Sequence, residues 1–326
     1  VLSVNPSPLF RRCVAAACMC IAGAAAAAYP DKPVRIIVPY PPGGSVEIVS
    51  RVISDRLAQA LGQPVVVESK GGAAGNIGAH YVATQPADGY TLVMGTQSTH
   101  GTNNLLFKET RHDPVKDFEP ITMVAAAPLL LVVHPKVPAH DGASLVRYIA
   151  AQKEGVSFGS ASTGGGGHLA GERFKKLTGL HLVHVPYKGS GPLRTDLIAG
   201  HVPMSFDNMA SALPAVQAGQ LRALAVTSAK RSSVAPDIPT MAEAGLAPVV
   251  LDTWYALFAP AGTPKPIVAR LNAEVIRILE EPAVAERLRG LGMDVVTTTP
   301  EALRTRVVED AARYKRIIDD AKIEAQ

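Results

Sequence analysis

The stretch Gly159-Ser160-Ala161-Ser162-Thr163-Gly164-Gly165-Gly166-Gly167-His168 follows the short apolar run Val156–Phe158 and leads into a helical pattern over 168–178. Four successive glycines are costly in conformational entropy, and one would serve a turn. Without Cβ atoms the backbone approaches a ligand closely, and the first N–H groups of a helix lack partners and attract anions. The loop therefore reads as one arm of an anion site. It is not a P-loop, because no Gly-Lys-Ser/Thr follows, and its glycines lack the spacing and setting of a dinucleotide fingerprint.

A second loop has the same design. Pro39-Tyr40-Pro41-Pro42-Gly43-Gly44-Ser45-Val46-Glu47 lies between the apolar strand Val34–Val38 and a helical stripe over 47–61. Ser45 reads as an N-cap whose hydroxyl could equally serve a ligand. Taken alone, this loop is as compatible with a tight turn as with binding. Neither loop contains Arg or Lys. A bound anion would be met by amides, hydroxyls and helix dipoles, with roughly 1.5–3 kcal/mol per hydrogen bond to a charged oxygen.

Catalytic signals are weak. His168 stands at a helix start with no evident Ser or Cys partner in sequence, the setting of a structural residue or a hydrogen-bond donor rather than of a base. His181 and His184, three apart on an expected strand, point to opposite faces, which argues against shared metal ligation. There is no His-Glu-x-x-His, and no pair of carboxylates reads better as catalytic than as surface. An enzyme working through His168 or Ser162 is the disfavoured alternative, and neither metal nor nucleotide cofactor is expected.

Strand and helix patterns alternate along the chain, the signature of an α/β fold with largely parallel sheet. Strands are expected at 65–67, 90–95, 121–126, 129–133, 182–185, 202–206 and 221–227. Helices are expected at 77–83, 144–152, 193–199, 212–218, 266–279, 282–290 and 301–322. The chain crosses to a second domain around Pro128 and returns within 249–258. The expected division is 29–126 plus 253–326 as one domain and 127–252 as the other. Two crossings without a flexible linker imply a hinge and an interdomain cleft.

The first 28 residues read as a cleaved signal peptide: Arg11-Arg12, the uncharged apolar run 14–28, and the small-x-small end Ala26-Ala27-Ala28. All three cysteines, Cys13, Cys18 and Cys20, lie in this leader, so the mature chain is expected to have no disulfide or thiolate chemistry. The full chain of 326 residues carries 32 Lys+Arg against 28 Asp+Glu. Subtracting Arg11 and Arg12 leaves 30 against 28, a formal +2, too balanced for a nucleic-acid partner.

Beyond the two loops, ordered matches run along the mature chain. They include Gly75-Asn-Ile-Gly-Ala, Asp88-Gly-Tyr-Thr-Leu, Gly95-Thr-Gln-Ser-Thr-His and Asp113-Pro-Val-Lys-Asp-Phe-Glu-Pro. His184-Val-Pro-Tyr-Lys-Gly, Phe206-Asp-Asn and Phe258-Ala-Pro-Ala-Gly-Thr-Pro continue them. By these the chain resembles the Bug family, periplasmic solute-binding receptors of tripartite tricarboxylate transporters. The resemblance implies a two-lobed periplasmic-binding-protein type II fold. It implies a monomer that delivers a small carboxylate (di- or tricarboxylate, acidic amino acid or aromatic carboxylate) to membrane transporter subunits. A ligand sensor for a membrane signalling system is the alternative. By position, the resemblance assigns Tyr40, Gly43, Gly44 and Ser45 to one arm, and Ser162, Thr163, Gly164, Gly165, Gly166, Gly167 and His168 to the other. Ser98 and Asp207 are weaker members.

Two departures stand out. Glu47 replaces the family's usual Asp and Val46 its frequent Thr or Ser. Glycines stand at 165–167 where serines are common. The expectation is more room in the second arm and fewer side-chain donors.

Overall fold

The computed structural model describes residues 29–325, so the expected leader and its cysteines lie outside the described residues. It contains β1 (Val34–Val38), β2 (Val65–Ser69), β3 (Thr91–Thr96), β4 (Phe118–Val133) and β5 (Val156–Ser160). These are followed by β6 (Leu182–Pro186), β7 (Met204–Asn208), β8 (Arg222–Val226), β9 (Asp252–Pro260) and β10 (Asp294–Val295). The main helices are α1 (Ser45–Leu61), α2 (Asn76–Ala83), α3 (Gly142–Ala151), α4 (Gly166–Thr178) and α5 (Ser190–Ala199). Then come α6 (Met209–Gln217), α7 (Lys265–Glu280), α8 (Pro282–Gly290) and α9 (Pro300–Ala321).

The strands form two parallel triplets joined by long antiparallel strands, in the order β2-β1-β3-β9-β4-β7-β5-β6, with β8 and β10 also on β4. β1 pairs in parallel with β2 and β3, and β5 in parallel with β6 and β7. The sheet is thus less parallel than the strand–helix alternation suggests. The correction comes from β4 and β9, which run antiparallel to each other and to their triplet neighbours.

The two strands expected around Pro128 are one strand of 16 residues. Its stretch 118–128 pairs with β9, and 129–133 with β7. Proline donates nothing to a ladder, so it is tolerated where pairing changes hands. Pro128 occupies that transition.

The apolar periodicities are realised as packing. Val49, Val52, Ile53 and Leu57 of α1 are buried against β1 and α7 in a cluster that continues to Leu130 and Val132 of β4. A second cluster lies under α4, with Phe158, Phe174 and Phe206. A third joins Trp254, Phe258, Leu303 and Val307. Each parallel triplet sends its central strand, β1 or β5, directly into a glycine-rich loop and a helix. In open α/β sheets the crevice at the carboxyl ends of such strands is where ligands bind.

Candidate functional site

The site begins with how α1 and α4 start. Their N-caps are Gly44 and Gly165, both extended, and neither offers a side-chain cap. Ser45 is therefore the first helical residue and not the cap, and α4 begins two residues earlier than its apolar pattern suggests. The first-turn N–H groups of both helices have no carbonyl partner within the helix.

Gly43 adopts φ +84°, a left-handed conformation that glycine tolerates. Its N–H donates to Glu47 Oε2 at 2.7 Å, and Arg51 Nη2 lies 2.7 Å from Glu47 Oε1. The Gly43 N–H, with Arg51 behind it, holds the Glu47 carboxyl below its ordinary range. Glu47 thus braces the turn from outside and does not face the ligand space.

The two helix starts meet at a cavity of about 40 Å³. Tyr40, Gly44 and Ser45 line it from one side, and Ser162, Gly165, Gly166 and Gly167 from the other. Ser98, two residues beyond β3, lines it as well. Tyr40 is buried, and its hydroxyl lies 3.1 Å from Thr96 Oγ1, which pins the ring between β1 and β3. Burial raises the Tyr40 pKa, so the phenol is a neutral donor. Among the described residues, no Arg, Lys, Asp or Glu lines this cavity.

Five candidates lie elsewhere. Gly43 is turned away with Glu47, and Thr163 lines a neighbouring cavity. Gly164 is left-handed at φ +73°, and its carbonyl accepts from Thr102 Oγ1 at 2.7 Å. His168 is buried behind the loop, where Nδ1 accepts the Gly164 N–H at 3.0 Å. That bond places the ring proton of the neutral imidazole on Nε2.

His168 stacks on His184 at 3.8 Å between ring centroids, and His184 Nε2 lies 2.7 Å from Ser160 Oγ. The histidine that looked isolated in sequence belongs to this cluster, since β6 lies beside β5. Burial lowers the two pKa values to about 4 and about 3, and Ser160 is fully buried. The cluster supports the loop.

Asp207, the fifth, is also buried outside the cavity. Its Oδ1 accepts from the Asn208 N–H at 2.8 Å, while Oδ2 has no partner. Burial pushes its pKa up to about 7.

Some lining residues escaped the sequence reading. Phe206 and Asn208 line the cavity, one on each side of Asp207 along β7. Asn208 Nδ2 donates to Ser190 Oγ at 2.9 Å. Ser190 is the first residue of α5, whose glycine N-cap Gly189 again lacks a side-chain cap. The signal was present in the His184–Gly189 motif. The apolar pattern of α5, however, starts only at Leu193, three residues too late. Thr253 and Tyr255 line the cavity on either side of Trp254, by the alternation of β9.

The glycines of the second arm have unequal causes. A Cβ on Gly167 would collide with the Phe206 carbonyl oxygen. A Cβ on Gly166 would lie 3.1 Å from Gln97 Oε1, and one on Gly165 2.6 Å from Ser162 Oγ. The expected extra room is therefore absent at 167, where only glycine fits this backbone.

A two-lobed fold with glycine-led helix starts facing each other across a cleft defines the periplasmic-binding-protein class. The family model described as "Tripartite tricarboxylate transporter family receptor" matches residues 49–323. The chain is 37% identical to Protein BugT of Bordetella pertussis over 291 residues, covering 89% of each chain. The solved structure of R. palustris Rpa4515 with adipate superposes with a TM-score of 0.89 at 36% identity, covering 91% of this chain and all of that one. MatC from Rhodopseudomonas palustris with bound malate superposes at 0.84 with 33% identity, covering 89% and 100%. The chain belongs to the tripartite tricarboxylate transporter receptor family. Among the described residues no helix is long and apolar enough to cross a membrane, and no group of side chains could hold a metal ion.

Proposed function

We propose that this receptor captures a small organic carboxylate between α1 and α4 and passes it to the membrane subunits of a tripartite transporter. The observation that carries the reading is a cavity lined by uncapped helix starts and by hydroxyls of Tyr40, Ser45, Ser98 and Ser162, with no cation on its wall. Helix dipoles favour negative charge there by about 0.3–1 kcal/mol each, and up to ~2 where partly buried. Amide hydrogen bonds to a charged oxygen add more. The adipate and malate in the two related structures support a carboxylate as the ligand class.

In this reading the lobes are 29–126 with 253–326, and 127–252, and they close like jaws over the ligand. Two approaches between these lobes support a closed arrangement: Thr102 Oγ1 donates to the Gly164 carbonyl, and Gly191 comes so near Pro42 that an added Cβ would lie 3.2 Å from its carbonyl oxygen. The protein works as a periplasmic monomer after removal of the leader near Ala28, and turns nothing over. Calorimetric titration against a panel of di-, tri- and aromatic carboxylates should show one site per chain. A silent panel would sink the proposal.

A further inference from the structure

Asp207 has a wall residue of the cavity on either side of it. Phe206 and Asn208 both line that cavity, and about 3.8 Å separates each of their Cα atoms from that of Asp207. By the alternation of β7 the Asp207 side chain points the other way, where it is 1% exposed.

Its surroundings do little for a charge. Oδ1 accepts the Asn208 N–H at 2.8 Å, and Oδ2 has no hydrogen-bond partner. β4 contributes Leu130, which pairs opposite Asp207 and is fully buried. α6 contributes the buried hydroxyl of Ser211, and β9 contributes Tyr255, a neutral phenol. Arg194 of α5 is the one charged group acting on Asp207, and its Nη1 donates to the Ser211 carbonyl at 3.5 Å. Burial outweighs this cation and pushes the Asp207 pKa up to about 7.

Charge and geometry both connect this carboxyl to the ligand space. The cavity wall carries no cation among the described residues, so a bound carboxylate and an ionised Asp207 would share one enclosed, uncompensated space. Two like charges at ~10 Å and an effective dielectric of ~20 repel by a factor of about 15 in binding. The wall residue Tyr255 already registers the Asp207 charge, which helps to raise its hydroxyl pKa. Asn208, held through its N–H by Asp207, donates from Nδ2 to Ser190 Oγ at the head of α5 at 2.9 Å.

We infer that the receptor takes up its carboxylate together with a proton on Asp207, so that capture weakens as the surroundings turn alkaline. The inference rests on the carboxylate reading of the cavity. A bound anion favours the neutral acid, so binding above about pH 7 draws a proton in. Below that pH the proton is already in place and affinity is flat. His168 and His184, with pKa values of about 4 and about 3, stay neutral throughout this range.

The test is calorimetric titration with hexanedioate, hydroxybutanedioate and benzoate, whose carboxyls are charged at both pH 6.5 and pH 8.5. Wild type should bind roughly 5–10-fold more weakly at the higher pH. At pH 7.5, titrations in two buffers of different ionisation enthalpy should reveal uptake of about half a proton per ligand. Asp207→Asn, which cannot ionise, should flatten the profile and abolish the uptake. Equal wild-type affinity at both pH values without proton uptake, or a pH-dependent loss shared by Asp207→Asn, overturns the proton coupling and leaves the carboxylate reading standing. Binding of no probe at either pH overturns both.

Discussion

Gly166 and Gly167 are adjacent and chemically identical, yet their backbones face different neighbours. At Gly167 the obstacle is a carbonyl oxygen in β7, part of a strand that cannot step aside. Gly167→Ala should therefore destabilise the protein by about 1–3 kcal/mol through overpacking. Gly166→Ala should be near neutral, its helix propensity gain of roughly 0.5–1 kcal/mol offsetting the close approach to Gln97. Urea midpoints of the two variants check this, and equal costs would count against it.

Titration supplies a second contrast at this scale. His168 and His184 stay neutral in the fold down to about pH 4 and about pH 3, while the unfolded chain takes up protons near 6.5. Their contribution to stability is thus full above 6.5 and is lost as pH falls. Asp207 has the opposite sign. The fold keeps its proton up to about pH 7, whereas the unfolded carboxyl loses it near 3.8. Its contribution is full below 3.8 and is lost as pH rises through 7. Asp207→Asn should gain stability relative to wild type between pH 4.5 and 7.5, by up to about 4 kcal/mol. A gap that does not change with pH contradicts this assignment.

At the scale of elements, α9 shows how one helix ties the molecule together. Leu303 and Val307 pack with Trp254, whereas Tyr314 and Ile318 pack with Leu129 and Phe174 under α4. Between them sits buried Asp310, which accepts from Trp254 Nε1 at 2.9 Å and Arg306 Nε at 2.7 Å and pairs with Arg313 at 3.2 Å. Asp310→Ala removes the shared acceptor of all three. The expected loss is about 3–5 kcal/mol, as for other broken buried pairs. The urea midpoint of the variant, followed by the emission of the single tryptophan, checks it; an unchanged midpoint refutes it.

Element positions were largely legible, because apolar periodicity records which face is buried. Helix starts were not. Gly166, Gly167 and Ser190 contribute backbone and a small hydroxyl to the first turns, and leave no apolar trace. Asp207 misled for a related reason: one residue of slip along β7 exchanges the cavity face for the buried one.

At the scale of the whole molecule, the two glycine-rich loops were visible in sequence, but their convergence was not. It depends on β4, which pairs with β9 over 118–128 and with β7 over 129–133, and these 16 continuous strand residues through Pro128 read locally as two strands. The third helix start, at Ser190, depends on the same topology. The family match accounts for the receptor class, and the cavity's lining points to the charge it accepts.

The central claim is that main-chain amides and hydroxyls, with no cation, select a carboxylate in the closed cleft. Calorimetric titration of a bound carboxylate against its primary-amide isostere tests this directly, because the two match in shape and differ in charge. The carboxylate should bind one per chain, and the amide at least about 10-fold more weakly, the discrimination expected for charge-assisted hydrogen bonds. Equal affinity for acid and amide would show that the helix starts do not select the negative charge.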